Sequence, residues 1–147
     1  MTQWPVFVAG PLHGPGGQRT EFNHAISLGS LPHQEVRSQM AIAGIFVSPS
    51  RYEPFGLAAL EAATSGTPLV LADIATYREL WDGAAMFYDQ REPRQLAACI
   101  DRVSRDEQHR RELGQAAARR SREFSLARQA AAMRGVYDRA ASIMAER

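Results

Sequence analysis

Short, wholly apolar runs alternate along this chain with amphipathic segments, and that alternation narrows the fold more than any other feature. Residues 6–9, 45–47, 69–71 and 85–88 are too short for buried helices and carry no charge to turn toward water. Strands covered on both faces read this way, and parallel sheets packed between helices are built from them. A further short strand is expected at 25–28, closed by Gly29. Helices are expected at 32–43, where Val36, Met40 and Ala43 are near helical spacing, at 56–64, and at 76–81 with Thr76 as the cap. Ser65, Gly66, Thr67 and Pro68 end the second of these in the usual order, glycine first and proline beyond. After residue 88 the pattern is helical throughout, at 93–103, 107–123 and 126–145. Pro93 stands in a first turn, where its missing N–H costs nothing. Residues 12–17 cannot form regular structure, and no internal repeat or linker interrupts the pattern. The expectation is one α/β unit over 1–147, a parallel sheet with helices on both faces, with 93–147 as a helical C-terminal extension.

A chain of 147 residues makes about one domain and buries roughly two-thirds of its surface. A net charge of +1 gives no bulk electrostatic case for nucleic acid or an anionic membrane. All 17 basic residues are arginine, so chemistry that needs a lysine amine, the Walker-A phosphate loop included, is excluded. Cys99 is the single cysteine, which rules out a disulfide within the chain, and it shares a helical face with Leu96, Ile100 and Val103. His13, His24, His33 and His109 show no metal spacing. No apolar stretch approaches the ~18 residues of a membrane span. Residues 1–5 lack the basic start and apolar core of a secretory signal. The expected location is cytoplasmic.

Chemistry concentrates between Glu53 and Glu61, where an apolar strand runs through a short loop into a helix that begins at a glycine. The first amides of a helix have no intrahelical partners, and the macrodipole adds about half a positive charge there. The amides of Gly56, Leu57 and Ala58 would therefore form an anion cradle suited to phosphate. Glu61 follows Leu57 by one turn on the same face and leans back toward the helix start. It would suit a neighbouring diol such as a ribose. Glu53, in the loop, would reach a hydroxyl-rich group beside the phosphate. Two other readings stay open. The pair could serve as the acid and base of a glycoside hydrolase, which needs carboxylates flanking the bond at roughly 5–9 Å. Gly14, Gly16 and Gly17 hint at a dinucleotide fingerprint, but Arg19 stands where the third glycine belongs and no apolar helix follows.

The string from Pro49 to Leu57, with Glu61 beyond it, resembles the signature of the group 1 family of retaining GT-B glycosyltransferases. The likeness continues through residues 62–70, Tyr77 to Leu80 and Gly83 to Ala85. Upstream, residues 6–11 and 28–31 resemble two earlier strand ends, and residues 123–126 resemble the turn before the last helix. The resemblance implies a Rossmann-like donor-binding domain, the C-terminal half of a GT-B fold, acting on a nucleotide-sugar. Glu53 would hold the catalytic place, bonding a hydroxyl of the donor sugar and fixing its pose. Backbone at Phe55, Gly56 and Leu57 would face the diphosphate and sugar, Glu61 the ribose, and backbone near Ser30 and Leu31 the base. It implies a metal-independent reaction that needs no cofactor, the nucleotide-sugar being substrate. The chain alone is expected to be weakly active or inactive, the alternative being a non-enzymatic nucleotide-sugar-binding remnant or a complementing subunit; its partner is a separate N-terminal glycosyltransferase domain or a second copy of this chain.

The chain also departs from the family. By the resemblance, the N-terminal acceptor domain is expected to have no counterpart in residues 1–147. The match is expected to open at the donor domain's second strand, leaving out the first strand with the arginine and lysine that clamp the diphosphate. In the family that strand is central, between the counterparts of residues 6–9 and 45–47. Three outcomes are then open: those two strands pair directly, another chain fills the gap, or the domain is poorly stable. Arg51 and Arg78 are candidates to replace part of the cationic clamp. Arg119, Arg120 and Arg122, balanced by Glu112 and Glu123, read as a solvated helix face. Ala130, Met133, Tyr137, Ala140 and Met144 form an apolar stripe on the last helix, which is expected to be partly exposed or used for self-association.

Overall fold

The computed structural model describes residues 3–13 and 16–145. Outside them lie Met1 and Thr2 of the N-terminal segment, Gly14 of the glycine string with Pro15, and residues 146 and 147 of the helical extension. The chain runs β1 (Phe7–Ala9), β2 (Ile26–Gly29), α1 (His33–Ile42), β3 (Phe46–Ser48), α2 (Leu57–Thr64), β4 (Leu69–Ala72), α3 (Ala75–Trp81) and β5 (Met86–Tyr88). It ends in α4 (Pro93–Arg105), α5 (Glu107–Ser121), a 3-10 turn (Arg122–Phe124) and α6 (Leu126–Ala145). Every expected element is present, with ends shifted by a residue or two. Thr76 is not a cap: α3 begins at Ala75 with Ile74 before it. Gly56 precedes α2 rather than opening it, and the long helix expected to reach Glu123 tightens into the 3-10 turn after Ser121.

The strands β3, β4 and β5 form a parallel sheet, with Val70 opposite Val47 on one side and Met86 on the other. All four residues of β4 are buried, and they divide by alternation. Leu69 and Leu71 join the core made by α2, α3 and α5, with Tyr77 and Trp81 at its centre. Val70 and Ala72 join a second core with Tyr88, Cys99, Val103 and Leu113. The sheet is thus covered on both faces, as continuous apolar strands require. Burying a large apolar side chain fully is worth about 1.5–3 kcal/mol, and Trp81, Tyr77, Leu69, Leu71, Val70 and Val103 are the largest so buried. Burial also pushes the Cys99 thiol pKa up.

The other two strands stand apart. β1 pairs with β2 in a separate two-stranded parallel sheet, with a register irregularity between Val8 and Ala9. Among the described residues β1 and β3 do not pair, so direct closure of the sheet does not occur. Val6, Phe7 and Ile26 are about half exposed in consequence. Trp4 ties this ribbon to the rest, its indole packed against Gly44 just before β3 and lying under the Arg110 guanidinium.

Small residues let the helices approach. Ala59, Ala62 and Ala63 are fully buried on α2, and alanine is also the best helix former. Gly114 of α5 presses against the Gly66 carbonyl after α2, leaving no room for a Cβ. Arg120 does not belong to a merely solvated face. Its Nε donates to the Leu80 carbonyl at 2.7 Å and Nη2 to the Glu79 carbonyl at 3.3 Å, which closes the C-terminal end of α3. α6, the longest helix, has no buried residue, which it shares with α1 but not with α2, α4 or α5. Met133, Tyr137 and Met144 of the expected stripe are exposed, together with Val136 and Ile143.

Two consequences are measurable. Gly114→Ala is expected to lower unfolding free energy in urea by about 1–3 kcal/mol, the range for overpacking against rigid backbone. Gly135→Ala in exposed α6, where the nearest atom to an added Cβ is the mobile Arg139 guanidinium, is expected to raise helicity at 222 nm and stabilise by ~0.5–1 kcal/mol. Native-state hydrogen exchange should separate the two sheets. Amides of β4 should open only with global unfolding, and those of β1 and β2 should exchange by local opening at least tenfold faster.

Candidate functional site

The loop from Ser50 to Gly56 leaves the carboxyl end of β3, the edge at which parallel sheets place their sites. Three anchors shape it. At its start, Ser48 Oγ shares a 2.7 Å hydrogen bond with the Tyr77 hydroxyl and a 3.2 Å bond with Ser50 Oγ. The Tyr88 hydroxyl lies below, 3.5 Å from the Ser48 carbonyl, and burial raises its pKa. Near its end, Phe55 packs edge-on against Phe124 with ring centroids 5.6 Å apart, and Phe124 rests on Trp81. At Gly56 the backbone turns left-handed, φ +86°, a conformation that favours glycine. A Cβ there would also lie 2.6 Å from Tyr77 Cε1. Gly56 is therefore required by the protein's own packing.

Glu53 turns inward. Its Oε1 accepts the Gly56 N–H at 3.1 Å, so one expected cradle amide is held by the loop's own carboxylate. The amides of Leu57 and Ala58 have no acceptor among the described residues, as expected at a helix start. Leu57 is largely exposed, leaving that end of α2 open. Glu61 is one turn further on and partly exposed, with Oε1 4.0 Å from His33 Nδ1. His33 opens α1, one residue (Pro32) beyond Ser30 and Leu31. The contact thus brings the segment expected to face a base to the same edge as Glu61. Its histidine was not singled out by spacing, because the two residues are joined only through the fold.

Arg78 is committed elsewhere. Its Nε and Nη2 donate to the two Asp73 oxygens at 2.7 and 2.6 Å, Nη1 reaches Asp82 at 3.3 Å, and the guanidinium stacks over Phe87 at 4.0 Å. The bidentate bond lowers the Asp73 pKa and raises that of Arg78. Arg78 therefore does not stand in for a cationic clamp. Arg51 is exposed at the loop's start. No three His, Cys, Asp or Glu side chains converge among the described residues. A depression of ≈ 370 Å³ lies over Leu12, Arg19, Phe22 and Ser27, away from the loop. It holds neither a helix start nor paired carboxylates, so the Glu53 junction, where a strand end, a helix start and two carboxylates meet, remains the better candidate.

Comparison with known proteins decides the lineage of this junction. The profile described as "Glycosyl transferases group 1" matches residues 19–120. The chain belongs to this glycosyltransferase family. Over 114 residues it is 32% identical to D-inositol 3-phosphate glycosyltransferase of Corynebacterium diphtheriae, covering 76% of this chain and 27% of that protein. It is 28% identical over 164 residues to the lipopolysaccharide core biosynthesis mannosyltransferase LpsB of Rhizobium meliloti, covering 92% and 42%. A 47-residue stretch is 53% identical to glycogen synthase of Mycobacterium tuberculosis, covering 32% and 11%. Sucrose-phosphate synthase from Thermosynechococcus elongatus superposes with a TM-score of 0.74 at 25% identity, over 82% of this chain and 31% of that one. The fold is that of a GT-B C-terminal Rossmann-like domain with a helical tail. The chain spans less than half the length of these relatives. No helix among the described residues is long and apolar enough to cross a membrane.

The Asp73–Arg78 pair gives a pH test. The folded-state carboxyl pKa is depressed, so its stabilisation is present above the unfolded value of about 3.9 and is lost as pH falls through the lower folded value. Both side chains are over two-fifths exposed, and solvent screening keeps the pair near 1 kcal/mol or less. Asp73→Asn is expected to lower stability by that amount at pH 7 in urea titrations, with the difference from wild type vanishing in strong acid.

Proposed function

We propose that this glycosyltransferase-family chain is the donor-binding half of a retaining transferase, with a nucleotide-sugar as its ligand. The observation that carries the reading is the open start of α2, with free amides at Leu57 and Ala58, between Glu53 and Glu61. Backbone at Phe55, Gly56 and Leu57 would face the diphosphate and sugar, which the helix dipole favours. Glu61, with His33 beside it, would hold the ribose hydroxyls, and the backbone of Ser30 and Leu31 would face the base. Glu53 would exchange its bond to the Gly56 amide for a hydroxyl of the donor sugar and so set the sugar's pose. The reaction would need neither metal nor cofactor. Its rate would come from positioning and from stabilising charge on the departing diphosphate, which would take the acceptor proton on the same sugar face.

A second reading is favoured by the break between β1 and β3. Here the chain binds donor without transferring it alone, and a separate N-terminal glycosyltransferase domain, or a second copy, supplies the rest. The two unpaired strand edges suit pairing with another polypeptide. The commitment of Arg78 to Asp73 and Asp82 fits the same reading, because the cationic part of a diphosphate clamp would then come from the partner.

A thermal-shift panel of UDP-, GDP- and ADP-sugars tests both readings. One nucleotide is expected to raise the melting temperature, and Glu61→Ala is expected to remove most of that shift. If none does so, donor binding is overturned. Turnover by the purified chain with the bound donor and an acceptor is expected to be weak or absent. Ready turnover would overturn the second reading, and cleavage of a simple glycoside would favour a hydrolase over both.

A further inference from the structure

We propose that Tyr77 is the positioning residue of the Glu53 loop, clamping its two ends with two different parts of one side chain. Tyr77 is 1% exposed and lies on α3, outside the loop it serves. Its hydroxyl holds the start, through the 2.7 Å bond to Ser48 Oγ and onward to Ser50. Its ring holds the finish, with Cε1 against the space where a Gly56 Cβ would stand. Glu53 hangs between these points, its Cγ 3.4 Å from that same space and its Oε1 on the Gly56 amide. A loop of this length is otherwise free to move on the nanosecond-to-microsecond scale. Fixing its ends from a rigid core element places a carboxylate more closely than local backbone bonds can. Tyr77 shares a helical face with Trp81, four residues on, and Trp81 is buried at the centre of the same core. The position of Glu53 is thus referred to a fully buried core.

The clamp stands on geometry alone. Its consequence for ligand affinity rests on the donor-binding reading above, and the test separates the two. Tyr77→Phe deletes the hydroxyl and keeps the ring. Ser50→Ala cuts the outer bond without touching the core. In hydrogen exchange with the full chain, each is expected to speed amides of residues 51–56 by roughly threefold to tenfold, the size of one net hydrogen bond. The amides of β4 should not change. An unchanged loop, or a rise shared equally by β4, overturns the clamp and leaves Tyr77 as a core residue only. The second readout is affinity for the nucleotide-sugar found in the UDP, GDP and ADP panel, compared with the matching nucleoside diphosphate. Both variants are expected to weaken the sugar-bearing ligand about threefold to tenfold and the diphosphate less than twofold, because Glu53 faces the sugar. Equal losses for both ligands, or none, overturn the positioning role even where the loop loosens. Failure of the wild-type chain to bind any nucleotide overturns the donor-binding reading, while the exchange result still decides the clamp.

Discussion

Burial of β4 on both faces is the constraint on which the rest of the molecule depends. With all four residues sealed, each backbone group must be satisfied by a neighbouring strand, and β3 and β5 supply those ladders. Each face then demands its own layer of helices. On one side that brings α3 close enough for Tyr77 and Trp81 to fill the core, and on the other α4 closes over Val70 and Tyr88. The Glu53 loop is a downstream result. It springs from β3, is braced by α3 and Phe124, and delivers the chain to α2, whose alanines pack against the same strand.

Much of this could be read in the residues. The apolar runs announced strands covered twice, and their alternation with helical periods announced a parallel sheet. The helical face shared by Leu96, Cys99, Ile100 and Val103 pointed to a core Cys99, which is borne out, although Ile100 is not part of that core. The Glu53–Glu61 interval located the strand–loop–helix junction and, through its resemblance, the family. Those features were legible because they are local, repeating every two or every 3.6 residues. What escaped was long-range or conditional. Tyr77 meets Ser48 across 29 residues, and nothing in either neighbourhood marks the pairing. Arg120 looks like any surface arginine until its carbonyl partners on α3 are seen. Nothing local in the sequence marks Arg78 as held by Asp73 rather than free for a phosphate. The sequence alone does not show that the protein's own backbone and Tyr77 already require Gly56.

The Glu53 carboxylate illustrates how such a site can be self-consistent without a ligand. A helix start with unbonded amides is an electropositive place, and the nearest mobile anion belongs to the loop itself. Glu53 settles there and satisfies one donor. On the proposed reading, a ligand competing for the amide would gain less than at an empty cradle, but would release a carboxylate to accept a hydroxyl. Binding and orientation would then be one exchange of hydrogen bonds, provided that the loop's ends do not move.

The separation of β1 and β2 from the main sheet also distributes the tryptophans usefully. Trp81 is sealed in the core under α2, α3 and α5. Trp4 lies at the seam, touching Gly44 and Arg110, and is two-fifths exposed. The chain has two tryptophans, and each therefore reports on a different event. The seam indole senses docking of the N-terminal ribbon, and the core indole senses the body of the domain. Intrinsic fluorescence becomes a two-channel signal, red and quenchable for the ribbon, blue and shielded for the body. Engagement of the open strand edges by another polypeptide would register in the first channel while leaving the second untouched.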